Sequence, residues 1–509
     1  MVSYILRRLL LMIPTLLGIT FLVFMLIALS PGGIGAGLRT NAGGQMEATS
    51  AAIRAAYLED RYGLDAPAPL QYVRWLGRIS PLKFGTRDQV SPANERISRP
   101  KEIRDPPLWE WVIDELPTPG EPEPVKWAED TTPEDKAAIY RKYAETYAQS
   151  RSQFIQKRAL YEQELGKYAD EAAIPNPRDS KGKLRLEAFR KAGKPETGPL
   201  ADSIKTTGEA MLAAYTEAIN TREQLRVAFD AKPYREAGFP ILPGLLSIAS
   251  PDLGVSFSKS RPVSELIKST LPVTLLINLV AIPIIYFVAI PFGMLAAVKR
   301  GTWIDVASGA LFIGLYSFPV ILAGVLAMGF LASNQYLGAF PVSGLHDKAA
   351  DTYTFLPGTT GGVFTRGYIL DTIWHICLPV LCLVYAGFAV LSKQTRAAML
   401  DNFSADYVRT AKAKGVAEKD VIFRHVFRNS LLPLITIFVS IFPAMLSGSV
   451  IVERIFSIPG MGSLVLDGIN NRDRELVLAT TLMIGIINLL ALLLADILYA
   501  MADPRITYE

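Results

Sequence analysis

Three histidines, His346, His375 and His425, and two cysteines, Cys377 and Cys382, are all the imidazole and thiol chemistry in this 509-residue chain. The histidines are far apart and form no His-Glu-x-x-His pair, so they offer no ready metalloprotease-type zinc site. The cysteines lie five apart in one apolar run and fit neither a metal pair nor a disulfide; they read as small apolar filler. No Gly-x-x-x-x-Gly-Lys-Ser/Thr occurs, so there is no P-loop to cradle nucleotide phosphates. No catalytic residues, metal or cofactor are expected. His375, just inside the end of an apolar run, could touch a substrate or a metal, although a lone interfacial histidine more often hydrogen-bonds locally.

The chemistry that does stand out is charge. Between positions 393 and 429 lie eight Lys/Arg (Lys393, Arg396, Arg409, Lys412, Lys414, Lys419, Arg424, Arg428) against four Asp/Glu. An excess of positive charge in a short loop between apolar segments marks the cytoplasmic side of a membrane. Within it, Tyr407, Val408 and Ala411 fall at helical spacing while Arg409, Lys412 and Lys414 point elsewhere. The pattern predicts a short amphipathic helix, stopped by Gly415 and suited to another protein's groove.

The elements that must position this loop are membrane helices. Hydrophobic residues make up 50% of the chain and charged residues 20%, but the charges are unevenly spread. Residues 81–250 hold 26 Lys/Arg and 27 Asp/Glu; the remainder is a polytopic membrane protein with apolar runs of bilayer-crossing length. The runs lie at 9–29, 271–297, 306–332, 369–392, 431–452 and 476–500, predicting six spans. The first is too long for a signal-peptide core, and the Ser-Pro-Gly-Gly at 30–33 is a poor cleavage site. With the N-terminus inside, Lys299-Arg300, the 393–430 loop and Arg505 all fall in the cytoplasm, as the distribution of positive charge requires. Prolines at 14, 272, 283, 291, 319, 379 and 443 interrupt helix hydrogen bonds within the spans. Pro319 is singled out as a pathway or gating candidate.

Several stretches resemble one family. Ala411 followed by Gly415, a basic helix and Leu432-Pro433 is similar to the EAA loop of ABC-importer permeases. Arg409-Thr410 stands where the general motif has Glu-Ala, and the distance from Gly415 to Pro433 exceeds that of sugar importers. Both departures resemble the oligopeptide/dipeptide/nickel permease branch, whose loops read much like DYVRTAKAKG. The resemblance extends through SYILRRLLLMIPTLLGITFLVFML, RYGLDAPAPLQYVRWLGRIS, DLGVSFSKSRPVSELIKSTLPVTLLI, HICLPVL, ERIFSIPGMGSLV and ADILYAMADPRI. It implies an all-α membrane fold of the type I importer kind with six transmembrane helices. It implies a homologous second permease subunit, two cytoplasmic ATPase subunits and an external solute-binding protein. It further implies ATPase coupling through Asp406, Tyr407, Arg409, Thr410, Ala411, Lys414 and Gly415. Asp496, costly in lipid, takes from its motif a structural or gating role.

What the resemblance leaves uncovered is 81–250, inserted on the outer side between segments that are normally adjacent. The expected organisation is a first helix at 1–30, an external segment at 31–80, the insertion at 81–250, a second external segment at 251–270, and a five-helix core at 271–509. The insertion opens with Pro-rich sequence (Pro100, Pro106, Pro107, Pro117, Pro119, Pro122, Pro124) that reads as extended. Thr132-Pro133-Glu134-Asp135 is then a helix start. From there Tyr140, Tyr147, Phe154, Tyr161 and Tyr168 recur every seven residues, and a second helix near 203–230 carries Met211, Tyr215, Ala218, Arg222, Leu225 and Phe229. The two predict a mainly helical, antiparallel hairpin joined through 175–199. The insertion's balanced charge argues against a nucleic-acid or membrane-surface role.

Two functions follow. The favoured one is a permease subunit of an ATP-driven, binding-protein-dependent importer for peptides or peptide-like solutes, resident in the bilayer of the bacterial inner membrane. The alternative is a membrane-anchored scaffold working through its external domain, which would need neither the Ala-Gly loop nor proline-kinked helices.

Overall fold

The computed structural model describes residues 2–29 and 67–502, apart from breaks at 93–95, 126, 128–130, 179–183, 243–244, 257 and 361–362. Positions 30–33, most of the expected 31–80 segment, and Arg505 lie outside the described residues. The chain divides into a unit of residues 1–24 and 254–509 and a unit of residues 25–253. Helix α1 (Val2–Leu29) carries the first apolar run.

The second unit begins its described part with α2 (Ala68–Ile79), then short strands β1 (Leu82–Phe84), β2 (Gln89–Val90) and β3 (Arg96–Ile97). Helix α3 (Pro133–Glu171) starts where the sequence places it: Thr132 accepts from the Asp135 amide, Asp135 returns a bond to the Thr132 amide, and Pro133 fills the first turn. Such a cap contributes about 1 kcal/mol. A short α4 (Leu186–Ala192) interrupts the connection, pinned by the fully buried Phe189, and α5 (Pro199–Asp230) returns. The pairing is antiparallel. Ser150 Oγ lies 2.6 Å from Thr221 Oγ1, the Phe154 and Tyr215 rings are 5.3 Å apart, and Ser203 donates to Glu164 at 3.0 Å.

Tyr140, Tyr147, Phe154 and Tyr161 of the heptad series are buried, and Met211, Tyr215, Ala218, Leu225 and Phe229 oppose them. Each large apolar side chain among them taken fully from water contributes about 1.5–3 kcal/mol. The Pro-rich segment runs along the hairpin as a strap with one 3₁₀ turn at Trp109–Trp111. Tyr161 Oη donates to the Leu108 carbonyl at 3.3 Å, and the Gly120 amide donates to Asn220 Oδ1 at 2.8 Å. Its backbone groups, denied a ladder by proline, are thus met by hairpin side chains.

An all-α expectation misses the sheets that close this unit. Strands β4 (Arg235–Glu236), β5 (Phe239–Leu242) and β6 (Leu246–Ile248) pair back onto the opening strands in the orders β1-β6-β5 and β3-β2-β4. Leu82 faces Ile248, and Gln89 faces Glu236. Below them the Ala249 amide donates to the Pro81 carbonyl at 2.9 Å and Asp252 to Arg78 at 3.2 Å. The stretch between Pro81 and Ala249 therefore enters and leaves through one paired neck.

In the other unit a hairpin, β7 (Val255–Ser256) and β8 (Arg261–Pro262), leads into α6 (Val263–Val298). Helices α7 (Trp303–Ser317) and α8 (Val320–Leu326) follow, the latter continuing as a π-helical turn to Ala332. A two-stranded ribbon, β9 (Gly358–Thr360) and β10 (Val363–Thr365), precedes α9 (Gly367–Phe403). After α10 (Asp406–Ala413) and a π-helical stretch Val421–Phe427 come α11 (Arg428–Ser447), α12 (Val450–Ile455), α13 (Met461–Asn470) and α14 (Arg474–Ala502).

Among the described residues five helices are long and apolar enough to cross a membrane, or six if one bent pair counts as a span. That pair is α7 with α8 and its continuation, bent by 84°. The cause is Pro319: it lacks an N–H and forces Phe318 out of the helical region, to φ −84 and ψ 115. Tyr385 Oη donates to the released Phe318 carbonyl at 3.0 Å. The other span prolines sit inside continuous helices.

Helices α6 and α9 pack closely through small residues. A Cβ on Gly293 would stand 2.6 Å from the Ser392 carbonyl oxygen, and Ser392 Oγ donates to the Ala289 carbonyl at 3.1 Å. Close approach through small residues is how helices associate where apolar surface alone gives no preference between lipid and protein.

Candidate functional site

Helix α10 is held between the end of α9 and the π-helical stretch. Val408 (0% exposed) and Ala411 (6%) point inward and pack with Ala297, Met399, Val421 and Val426. Val421 and Val426 are five apart, which a π-helical turn brings onto one face. Ser430 fixes the base: it donates to the Ala398 and Val426 carbonyls and accepts from Asn402 at 3.1 Å, while Asn402 Oδ1 also accepts from Tyr407 Oη.

The helix ends in a double backbone cap. The Gly415 amide donates to the Lys412 carbonyl at 3.0 Å and the Val416 amide to Ala411 at 3.2 Å, with Gly415 at φ +77. This is the Schellman arrangement, with Ala411 third from the end, Gly415 in the left-handed conformation and Val416 packing back on the Ala411 side. The Ala-x-x-x-Gly spacing has a purely geometric origin.

Of the seven residues predicted for this site, six (Asp406, Tyr407, Arg409, Thr410, Lys414 and Gly415) are exposed and Ala411 is not. The apolar face that the sequence offers to a partner is therefore mostly spent inside this chain. What α10 presents outward is polar and basic, Lys412 included. A further clamp lies beside this site. Arg396 grips Asp305 bidentately at 2.7 and 3.0 Å, and Asp305 also accepts from the Gly301 amide at 3.0 Å. It ties the Lys299-Arg300 turn to the same helix α9 that carries α10.

The three pathway candidates are not brought together. His375 Nδ1 lies 2.9 Å from the Asp371 carbonyl within its own helix, with the Asp371 carboxylate at 3.5 Å. Pro319 makes the bend. Asp496 accepts from Tyr4 at 2.9 Å and pairs with Arg8 at 3.1 Å, fastening α14 to α1. Among the described residues no group of His, Cys, Asp and Glu is arranged to hold a metal ion.

Residues 289–508 match the family described as binding-protein-dependent transport system inner membrane component. The chain is 37% identical over 285 residues to the inner membrane ABC transporter permease protein YejB of Escherichia coli O157:H7, covering 56% of this chain and 74% of that one. It belongs to the oligopeptide/dipeptide permease family. It is also 40% identical to the oligopeptide transport system permease protein AppB of Bacillus subtilis (strain 168), over 50% of this chain and 76% of that one. The Di/tripeptide transport system permease protein DppB of Pseudomonas aeruginosa (strain UCBPP-PA14) is 34% identical over 52% and 79%. The chain is thus a multi-pass inner-membrane permease subunit of an ABC importer, and not an enzyme.

Two buried anchors of this permease are not among the residues predicted from the sequence. Glu453 is 3% exposed; its carboxylate accepts from the Ser463 amide at 2.7 Å and from Thr274 Oγ1 at 3.0 Å. A Cβ on Gly460 would come within 2.4 Å of that carboxylate. The glycines of ERIFSIPGMG are the available signal, since they leave room for an acid to reach the start of α13. Asp473, fully buried, accepts from Ser256 Oγ, the Ser258 amide and Ser258 Oγ at 2.5, 3.1 and 2.8 Å. It thereby holds the β7–β8 hairpin against the start of α14.

Proposed function

We propose that this permease, with a homologous second permease subunit, encloses a pathway for peptides or peptide-like solutes. An external solute-binding protein delivers the solute, and two cytoplasmic ATPase subunits drive the cycle. In this reading the exposed face of α10 seats in a cleft of one ATPase. The N-terminus, the 299–302 turn and the 393–430 loop are cytoplasmic, and the 81–250 insertion is external. The observation that carries the reading is the division of α10: Val408 and Ala411 are locked into the permease, while Asp406, Tyr407, Arg409, Thr410 and Lys414 face outward. A solvated loop obeying charge rules alone would need no such platform. The peptide-like solute class rests on the names of the relatives.

Charge reversal on the outward face tests it. In Arg409→Glu combined with Lys414→Glu the altered side chains lie outside the packed platform, and the cap at Lys414 is made by its backbone amide alone. The variant is expected to stay folded in the membrane yet lose co-purified ATPase and solute-stimulated ATP hydrolysis; undiminished stimulation refutes the docking. For orientation, the cysteines are first replaced by alanine. A cysteine at Glu209 should then react with an impermeant thiol reagent from outside, and one at Glu418 only after the membrane is opened.

A further inference from the structure

The neck sheet of the insertion is built inside out. Its three strands set Leu82, Ile248 and Phe239 in one cross-strand row, and Phe84, Leu246 and Leu242 in the next but one, all on the same face. The row between them, Lys83, Ser247 and Pro240, takes the other face. There Ser247 is buried and Lys83 Nζ donates to the Gly77 and Arg78 carbonyls at 2.9 and 2.5 Å. Ordinary one-sided sheets turn the apolar face to the core. Here it is the apolar rows that are bare: Phe84 is 77% exposed, Phe239 76%, Leu242 51%, Ile248 48% and Leu82 42%. A contiguous bare apolar face marks an interaction surface.

We propose that this face lies in the headgroup region of the bilayer and seats the insertion on the membrane. Three observations choose lipid over a protein. The first is charge. Helix α2 carries Arg74 and Arg78 with no acidic residue, and positions 237–251 carry no charge; Lys83 is engaged on the other face and Arg87 pairs with Glu236 at 2.7 Å. Arg74 and Arg78 lie just before the charge-balanced 81–250 stretch and so stand outside its count; a basic excess there complements anionic lipid. The second is the tether. The Val263 amide, first in α6, donates to the Gly254 carbonyl at 3.0 Å, and the chain from Ile248 to Gly254 spans at most about 20 Å when extended. The sheet is thus leashed to the start of a membrane helix. The third is composition. A face that meets a binding protein transiently carries hydrogen-bonding groups among its apolar area, whereas the six in-register side chains here have none. Large apolar side chains bordered by Lys and Arg are the signature of an interfacial element. The inference goes beyond the transport reading and requires only that the chain reside in a membrane.

The test uses the full chain in vesicles of phosphatidylethanolamine and phosphatidylglycerol. The photoreactive p-benzoylphenylalanine replaces Phe84 or Phe239, both conservative aromatic exchanges, with Ile139 on α3 (40% exposed) as the control site. Illumination is expected to give phospholipid adducts at Phe84 and Phe239 several-fold above those at Ile139, and fewer when phosphatidylglycerol is omitted. The wild-type chain illuminated in vesicles doped with a diazirine phospholipid should carry label on peptides containing 82–84 and 239–248. Lipid adducts no higher than at Ile139 overturn the proposal. So do crosslinks to a second copy of the chain or to an added binding protein in place of lipid, and so does an unlabelled neck in the wild-type experiment.

Discussion

Replacing Gly415 separates the cap of α10 from everything around it. Gly415 has φ +77, and a Cβ added there meets no atom within 4 Å. A side chain at this position therefore costs only backbone strain, roughly 1–2 kcal/mol for an ordinary residue in the left-handed region. Asparagine, which tolerates that region, costs less, and β-branched valine costs more. The strain falls on three bonds: Lys414 to Thr410, Gly415 to Lys412 and Val416 to Ala411. One to two kcal/mol changes an opening equilibrium by about 5- to 30-fold. Hydrogen exchange on the reconstituted permease should therefore show the amides of residues 414–416 exchanging about 5- to 30-fold faster in Gly415→Ala. Gly415→Asn should change less and Gly415→Val more, while amides of α6 and α9 keep their protection. Equal exchange in the asparagine and valine variants, or none beyond wild type in valine, refutes the cap. Ala411→Asp is a poorer probe of docking, because it places a charge against Met399 and Val426 and disturbs the platform itself.

Two further outcomes are expected. His346 lies 2.8 Å from Tyr368 Oη and 3.1 Å from Thr372 Oγ1, and burial lowers its pKa from the ordinary 6.5, with the Asp371 carboxylate opposing. A lowered folded-state pKa means the unfolded segment binds the proton first, so stability is full above pH 6.5, falls as the pH drops through it and levels off below the folded value; limited proteolysis of the 339–366 segment should accelerate over that window, and His346→Gln should flatten the profile. Removing residues 82–248 and joining Pro81 to Ala249 through a short Gly/Ser link exploits the neck, whose flanking backbones already sit a hydrogen bond apart; the shortened chain should still insert and bind ATPases, measured by membrane fractionation and co-purification, with weakened binding-protein affinity.

The parts of this molecule legible in its sequence are those governed by short periods. The seven-residue aromatic spacing and the Thr132 capping signal depend on neighbours within a turn or two of helix, the apolar runs are read from one continuous stretch of chain, and each reappears in the fold. Pro319 was marked as one of seven span prolines and a pathway candidate; that it alone of the seven breaks a helix, the others sitting inside continuous ones, was not legible. Nor was the neck: strands of two to four residues carry no usable period, and Leu82 finds Ile248 only through a hairpin of helices between them. The burial of Val408 and Ala411 against this chain was equally hidden, since an amphipathic stripe specifies that one face is covered but not by what. Asp473 was invisible because its partners are a backbone amide and serine hydroxyls, which any residue or any serine supplies, and Glu453 left only the glycines beside it as a trace.

The burial of Val408 and Ala411 has a mechanical consequence. Side chains packed to crystal-like density compress little, and α10 has no spring of loose loop between it and the ends of α6 and α9. If an ATPase docks as proposed, a push on the outer face of α10 would be passed on as displacement rather than absorbed as bending, making the helix the handle of a stiff lever whose arm is the small-residue crossing at Gly293 and Ser392. Softening that arm would let the handle move while the far end of the permease stood still.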